Sequence, residues 1–133
     1  MTSATTKEDP ELKAWRQKTL KKGVYDLVDL QIFDEGLVEA KPAWVLPHVL
    51  LIGHIRNRGS NNSMRWFICG DCETSHAAQE VALTPREAAR HFSLLWQAKL
   101  GEEVDPNHES LQKLLQQAEA LYELTLVDEF WIS

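Results

Sequence analysis

Read from the N-terminus, the first sustained apolar pattern lies in "DPELKAWRQKTLKKG". Leu12, Trp15 and Thr19 or Leu20 recur at helical spacing and make a narrow stripe. Asp9 can cap this helix, and Pro10 suits its first position. Lys18, Lys21 and Lys22 sit at the negative end of its dipole, just before Gly23. The pattern predicts a helix that begins at Pro10 and ends at Gly23, preceded by a disordered tail over residues 1–8. The next stretch, "VYDLVDLQIFDEGL", fits two periods. Val24, Leu27, Val28 and Ile32 share a helical face, whereas Val28, Leu30 and Ile32 alternate as in a strand. A second helix from Val24 to about Glu35, stopped by Gly36, is the favoured reading.

The pattern then changes. In "KPAWVLPHVLLIGHIRN" the prolines punctuate the entry, and Val49–Arg56 runs as a continuous apolar segment of strand length. After the turn cluster "RGSNNS", "MRWFICG" reads as a second strand, so Val49–Gly70 is expected to form a β-hairpin. "TPREAARHFSLLWQAKLG" carries a helix signature, with Thr84 and Glu87 as a capping box and Pro85 at the first position. Ala88, Phe92, Leu95 and Trp96 share one face of it. A last helix places Leu111, Leu114, Leu115, Ala118, Leu121 and Tyr122 at helical spacing. Phe130, Trp131 and Ile132 close the chain as an apolar patch that must dock on the domain or face a partner. The expected fold class is α+β: N-terminal helices, a small, mostly antiparallel sheet built on a β-hairpin, and two C-terminal helices, with residues 9–133 as one domain.

Composition narrows the function. The chain has 133 residues and a formal charge of −6, which disfavours sequence-independent nucleic-acid binding. Residues 101–133 hold one lysine against eight carboxylates, and such an acidic quarter is either a solvated helix face or a docking surface for a basic partner. The first twenty residues carry no apolar signal region, and no apolar run nears the roughly 18 residues that span a bilayer. A soluble, cytoplasmic protein with no membrane association is expected.

The candidate chemistry is concentrated in "MRWFICGDCETSHA". Cys69, Cys72 and His76 give C-x2-C-x3-H, three soft ligands on one turn, with His54 or His91 as possible fourth ligands of a structural zinc. There is no second C-x2-C, so this is half a motif. A tryptophan-bearing strand leading into C-G-x-C is superficially similar to thioredoxin-like oxidoreductases. That chemistry needs the first cysteine at a helix N-terminus within a βαβ frame, and "ETSHAAQEVAL" makes only a mediocre helix. The plainer reading makes Cys69 a small apolar core residue alternating with Phe67, followed by a Gly-Asp turn. No nucleophile elbow, P-loop or H-E-x-x-H motif is present.

Several stretches then take on meaning in order. They are Trp15 in the first helix, "PAW" at Pro42–Trp44, "PHV" at Pro47–Val49, "RWFICGD" at Arg65–Asp71 and "PREAARHFSLLW" at Pro85–Trp96. Together they resemble a family of small bacterial proteins classed only as a domain of unknown function. In that pattern Gly-Asp is followed by leucine and then Pro-Thr-Asp. This chain keeps Gly70, Asp71 and Thr74 but has Cys72, Glu73 and Ser75 at the other positions. The resemblance implies that Gly70-Asp71 is the landmark and Cys72 incidental, and it implies no activity.

The leading expectation is a non-enzymatic module, without cofactor, that binds a protein with a basic surface. Toxin-neutralising immunity proteins share this small, acidic profile. Its candidate contacts are Glu102, Glu103, Asp105, Glu109, Asp128, Glu129 and Trp131. One alternative is a small-ligand or enzymatic pocket where Trp44, Trp66, Asp71, Arg86 and Glu87 converge. The other is a zinc-stabilised domain using Cys69, Cys72 and His76.

Overall fold

A computed structural model describes residues 9–29, 38–57, 64–101 and 109–131. The chain order is α1 (Pro10–Asp29), β1 (Val38–Leu46), β2 (Leu50–Asn57), β3 (Arg65–Gly70), β4 (Ser75–Ala78), α2 (Pro85–Gly101) and α3 (Glu109–Leu124). Short 3-10 turns follow β4 at Gln79–Val81 and α3 at Asp128–Trp131. The four strands form one antiparallel sheet in the order β1-β2-β3-β4, so the fold is α+β as expected. The expectations for residues 1–8, for Leu30–Gly36 and for Ile132 lie outside the described residues.

The sheet is covered on both faces, which explains why β2 and β3 show continuous apolar runs instead of alternation. Leu50, Ile52, Trp66 and Ile68 pack against Ala88, Phe92 and Trp96 of α2 and Leu114, Ala118 and Leu121 of α3. Leu51, Ile55, Phe67 and Cys69 point the other way, towards Leu27, Leu20 and Val24 of α1. Each large side chain buried in this way is worth about 1.5–3 kcal/mol of transfer free energy. The layers are therefore α1, sheet, and the α2–α3 pair.

Three sequence expectations are corrected. First, α1 is a single helix that passes through Gly23 and continues into the segment expected to form a second helix. Thr19, Gly23 and Leu27, four residues apart, are its buried face. Gly23 is where the helix comes closest to the sheet: a Cβ there would lie 2.7 Å from Cys69 Sγ and 2.8 Å from Cys69 Cβ. That contact outweighs the helix-interior penalty for glycine, about 1 kcal/mol relative to alanine.

Second, the expected hairpin is present as β2–β3, and two strands that the pattern does not predict, β1 and β4, flank it to make a four-stranded meander. "VEAKPAWVL" is strand β1, with Ala43 as an extra residue where the register shifts between Pro42 and Trp44. An edge strand tolerates Pro42 because one side of it needs no ladder hydrogen bonds. The turn to β2 is Pro47–Val49, closed by Val49 N donating to Leu46 O at 3.0 Å. His48 there has φ 63°, and proline followed by a residue of positive φ is the pattern of a type II turn. "SHAA" is β4, within a stretch whose pattern makes only a mediocre helix.

Third, the apolar stripes of α2 and α3 are wider than the core needs. Leu114, Ala118 and Leu121 are buried, whereas Leu115 and Tyr122 of α3 and Leu95 of α2 are exposed. The two helices meet closely at Ala118, whose carbonyl accepts a hydrogen bond from the buried Ser93 hydroxyl at 2.7 Å. Among the described residues no helix is long and apolar enough to cross a membrane.

Candidate functional site

Three parts of the structure gather chemically capable side chains: the C-terminal turn, the Gly70–Cys72 turn, and the outer face of α2 and α3.

The C-terminal turn engages two of the five residues expected to line a pocket, Trp44 and Arg86. Trp44 stacks on Trp131 with ring centroids 4.1 Å apart and planes 17° apart, and its Nε1 donates to Phe130 O at 2.7 Å. Trp131 in turn donates from Nε1 to Leu124 O at 3.0 Å. Arg86 donates through Nε to Thr125 O at 2.7 Å and through Nη2 to Asp128 Oδ1 at 2.8 Å. Its guanidinium thereby caps the carbonyl end of α3 and fixes the following turn. Glu87 closes the N-terminus of α2: its Oε1 accepts from Leu83 N, and Thr84 Oγ1 accepts from Glu87 N. The capping box therefore reaches one residue beyond the usual cap position.

Trp66 is a core residue. Its indole N–H is shared between Ala82 O at 3.1 Å and Gln79 O at 3.3 Å, and its ring lies 4.1 Å from that of His54. Trp44, Trp66, Asp71, Arg86 and Glu87 therefore do not converge on a cavity. Trp44 and Arg86 both hold the chain's own C-terminal turn, and Asp71 lies in the β3–β4 turn. Of the expected partner contacts, Trp131 is engaged internally and Asp128 is ion-paired, while Glu109 and Glu129 are exposed. Glu102, Glu103 and Asp105 lie outside the described residues.

The C-G-D-C stretch divides across the sheet. Cys69 faces α1, where its Sγ lies 3.5 Å from Thr19 O, whereas Cys72 packs against the cluster under α2 and α3. His76 accepts a hydrogen bond at Nδ1 from Arg65 Nε at 2.9 Å, so that nitrogen is committed as an acceptor. Burial and then the Arg65 charge hold the His76 pKa below its ordinary value. Burial first, then the Asp26 carboxylate, pushes the Cys69 thiol up to about 12. Burial, followed by Cys69, Asp71 and Glu73, does the same for Cys72, also to about 12. A dithiol with this electrostatic setting stays protonated at neutral pH, the opposite of the lowered pKa that thiol–disulfide exchange or metal ligation exploits. Among the described residues no group of three or more His, Cys, Asp or Glu side chains is placed to hold a metal ion.

Gly70 has φ 124°, and a Cβ there would lie 2.6 Å from Val49 O, so the turn requires glycine on two counts. Asp71 follows, its N–H donating to Val49 O at 2.7 Å and its carboxylate exposed. Thr74 donates through Oγ1 to Asp26 of α1 at 2.7 Å, tying the end of this turn to the opposite layer. A cleft of about 310 Å³ opens beside the turn, with Leu46, Leu50, Trp96, Leu121 and Leu124 among its walls and Asp71 at its rim.

The profile of the family described as "Domain of unknown function (DUF4826)" matches residues 10–131. The chain belongs to this family. No curated protein and no solved structure matches it. In this DUF4826 chain the stretches that carried the resemblance have packing roles. Trp15 meets the His48 ring at 5.7 Å, and "PAW" makes the β1 bulge and the Trp44–Trp131 stack. "PHV" forms the β1–β2 turn, and "PREA" supplies the caps of α2 and α3.

The remaining region is the outer face of α2 and α3. Leu94 is 53% exposed, Leu115 42% and Tyr122 40%. They border a hollow of about 560 Å³ together with Gln97, Glu119 and Glu123. The sequence pattern puts Leu115 and Tyr122 on the apolar stripe of α3 and passes over Leu94. The available signal is the six-member apolar stripe on α3, broader than one sheet face and one neighbouring helix can cover.

Proposed function

We propose that this chain is a non-enzymatic protein-binding module whose docking surface is the outer face of α2 and α3. The observation that carries this reading is the hollow bordered by Leu94, Leu115 and Tyr122, with the carboxylates of Glu119 and Glu123 beside them. Apolar anchors next to like charges suit a partner segment with apolar side chains flanked by lysine or arginine. The net negative charge of the chain would speed capture of such a partner. Small size, negative charge and the protonated state of both thiols agree with a binding role, and neutralisation of a basic toxin domain is the form we favour.

The test is surface plasmon resonance of the purified chain against basic toxin domains across a salt series. The expected result is association that weakens steeply with salt and is abolished by Leu115→Lys, with Glu119→Lys and Glu123→Lys slowing the on-rate. Absent or salt-insensitive binding, or binding indifferent to Leu115→Lys, would overturn the reading.

A further inference from the structure

Two clefts meet at the Gly70–Cys72 turn, away from the proposed docking face. The first is the 310 Å³ cleft with apolar walls of Leu46, Leu50, Leu121 and Leu124 and an indole, Trp96, among them. The second, of about 410 Å³, is lined by charged side chains, among them Lys22, Glu73 and Lys113. Asp71, Cys72 and Gln117 line both, so the clefts are continuous.

The charges in the second cleft are unequally committed. Lys22 is 3.3 Å from Asp26, and Glu73 is 3.1 Å from Lys99. That leaves one anion, Asp71, and one cation, Lys113, with no ion-pair partner among the described residues, including each other. Gln117 is held in place at the junction by accepting a hydrogen bond from Glu73 N at 3.3 Å. An uncommitted carboxylate and an uncommitted ammonium facing one cleft, beside an apolar cleft of side-chain size, are complementary to a zwitterion that carries an apolar side chain.

We propose that this double cleft binds a free apolar α-amino acid. The ligand ammonium lies against Asp71 and its carboxylate against Lys113. Its side chain, of leucine or phenylalanine size, enters the cleft bordered by Trp96 and Leu121. A peptide N-terminus would satisfy Asp71 and leave Lys113 unpaired; a simple carboxylic acid would do the reverse. A free zwitterion can use both, and the apolar walls favour an uncharged side chain because burying an unpaired charge is costly.

The test is a two-dimensional NMR titration of the full ¹⁵N-labelled chain with L-leucine and L-phenylalanine. The expected result is saturable shifts at the amides of Leu50, Asp71, Cys72, Lys113 and Leu121. Leucinamide and N-acetyl-leucine, each lacking one charge, should bind about tenfold more weakly, the usual cost of a lost charge-assisted hydrogen bond. Asp71→Asn and Lys113→Gln should each weaken leucine binding by about the same factor, and both variants should melt like the parent because these exposed groups hold nothing else. No saturable shift with either amino acid, shifts confined to other regions, leucinamide binding as tightly as leucine, or leucine binding unchanged in both variants would overturn the proposal.

Discussion

Gly23 of α1 lies against Cys69 of β3 so closely that the helix has no room for a β-carbon: a Cβ at this position would sit 2.7 Å from the sulfur. This contact sets the spacing between the first helix and the sheet, and Cys69 Sγ–Thr19 O, one helical turn back, lies on the same seam. Cys69 is thus a packing residue whose size is matched to a glycine.

Gly23→Ala should therefore destabilise the fold even though alanine is the better helix former. Overpacking costs about 1–3 kcal/mol, which exceeds the propensity gain of up to about 1 kcal/mol. Urea unfolding checks it. Cys69→Ala in the Gly23→Ala background should recover part of the loss, because the sulfur is the nearer of the two atoms the new methyl meets. A Gly23→Ala variant as stable as the parent would show that the helix is free to lift off the sheet.

The same burial predicts inert thiols. With both cysteines pushed up to about 12, an Ellman reaction at pH 8 should be slow on the folded chain and fast in urea. The linkage follows from the sign of the shift. A folded-state pKa raised above the unfolded value of about 8.5 contributes stability that is intact below that pH. It is lost as the pH rises towards 12, so alkaline unfolding should move to higher pH in Cys69→Ala once its packing cost is subtracted. Ultraviolet titration of thiolate absorbance gives the direct measurement.

Much of the fold can be read from local pattern because local chemistry decides it. The α2 capping box, the β2–β3 apolar runs and the acidic α3 all stand where periodicity puts them. The departures come from long-range contacts. Lys-Lys-Gly looks like a helix stop until Cys69 is known to lie beneath the glycine. "KPAWVLP" looks broken by proline until β1 is known to be an edge, and "SHAA" is too short to register as a strand. Trp44, Arg86 and Trp131 stand out in the sequence as residues with polar handles, but the partners of Trp44 and Arg86 are 86 and 39 positions away along the chain. The Asp71–Lys113 juxtaposition has no local signal at all, since nothing near "LQKLLQQ" announces that it faces the β3–β4 turn.

Arg86 and Asp128 should respond unequally to mutation, although they form one ion pair. The Asp128 side chain is 79% exposed, and an exposed pair contributes at most about 1 kcal/mol. Asp128→Asn should therefore be nearly neutral. Arg86→Ala also strips the donor from Thr125 O, on a residue with no solvent exposure, and an unsatisfied buried carbonyl costs about 1–3 kcal/mol. Thermal unfolding of the two variants separates the effects. Equal losses would mean that the charge, and not the carbonyl cap, holds the C-terminal turn.

His76 should contribute to the acid side of the stability profile. Its Nδ1 accepts the Arg65 hydrogen bond, which a protonated ring cannot do, and burial and the guanidinium both act to keep the ring neutral. A histidine whose folded pKa lies below its unfolded value of about 6.5 contributes fully above that pH. The contribution falls away as the pH drops through the folded-state value. Stability should therefore decline between neutral pH and the onset of carboxylate titration, and the slope in that window should flatten in His76→Gln, which keeps an acceptor for Arg65 but has no proton to gain. NMR titration of the imidazole supplies the independent reading: a His76 pKa at or above the ordinary value would contradict the arrangement of Arg65 and His76 seen on β3 and β4.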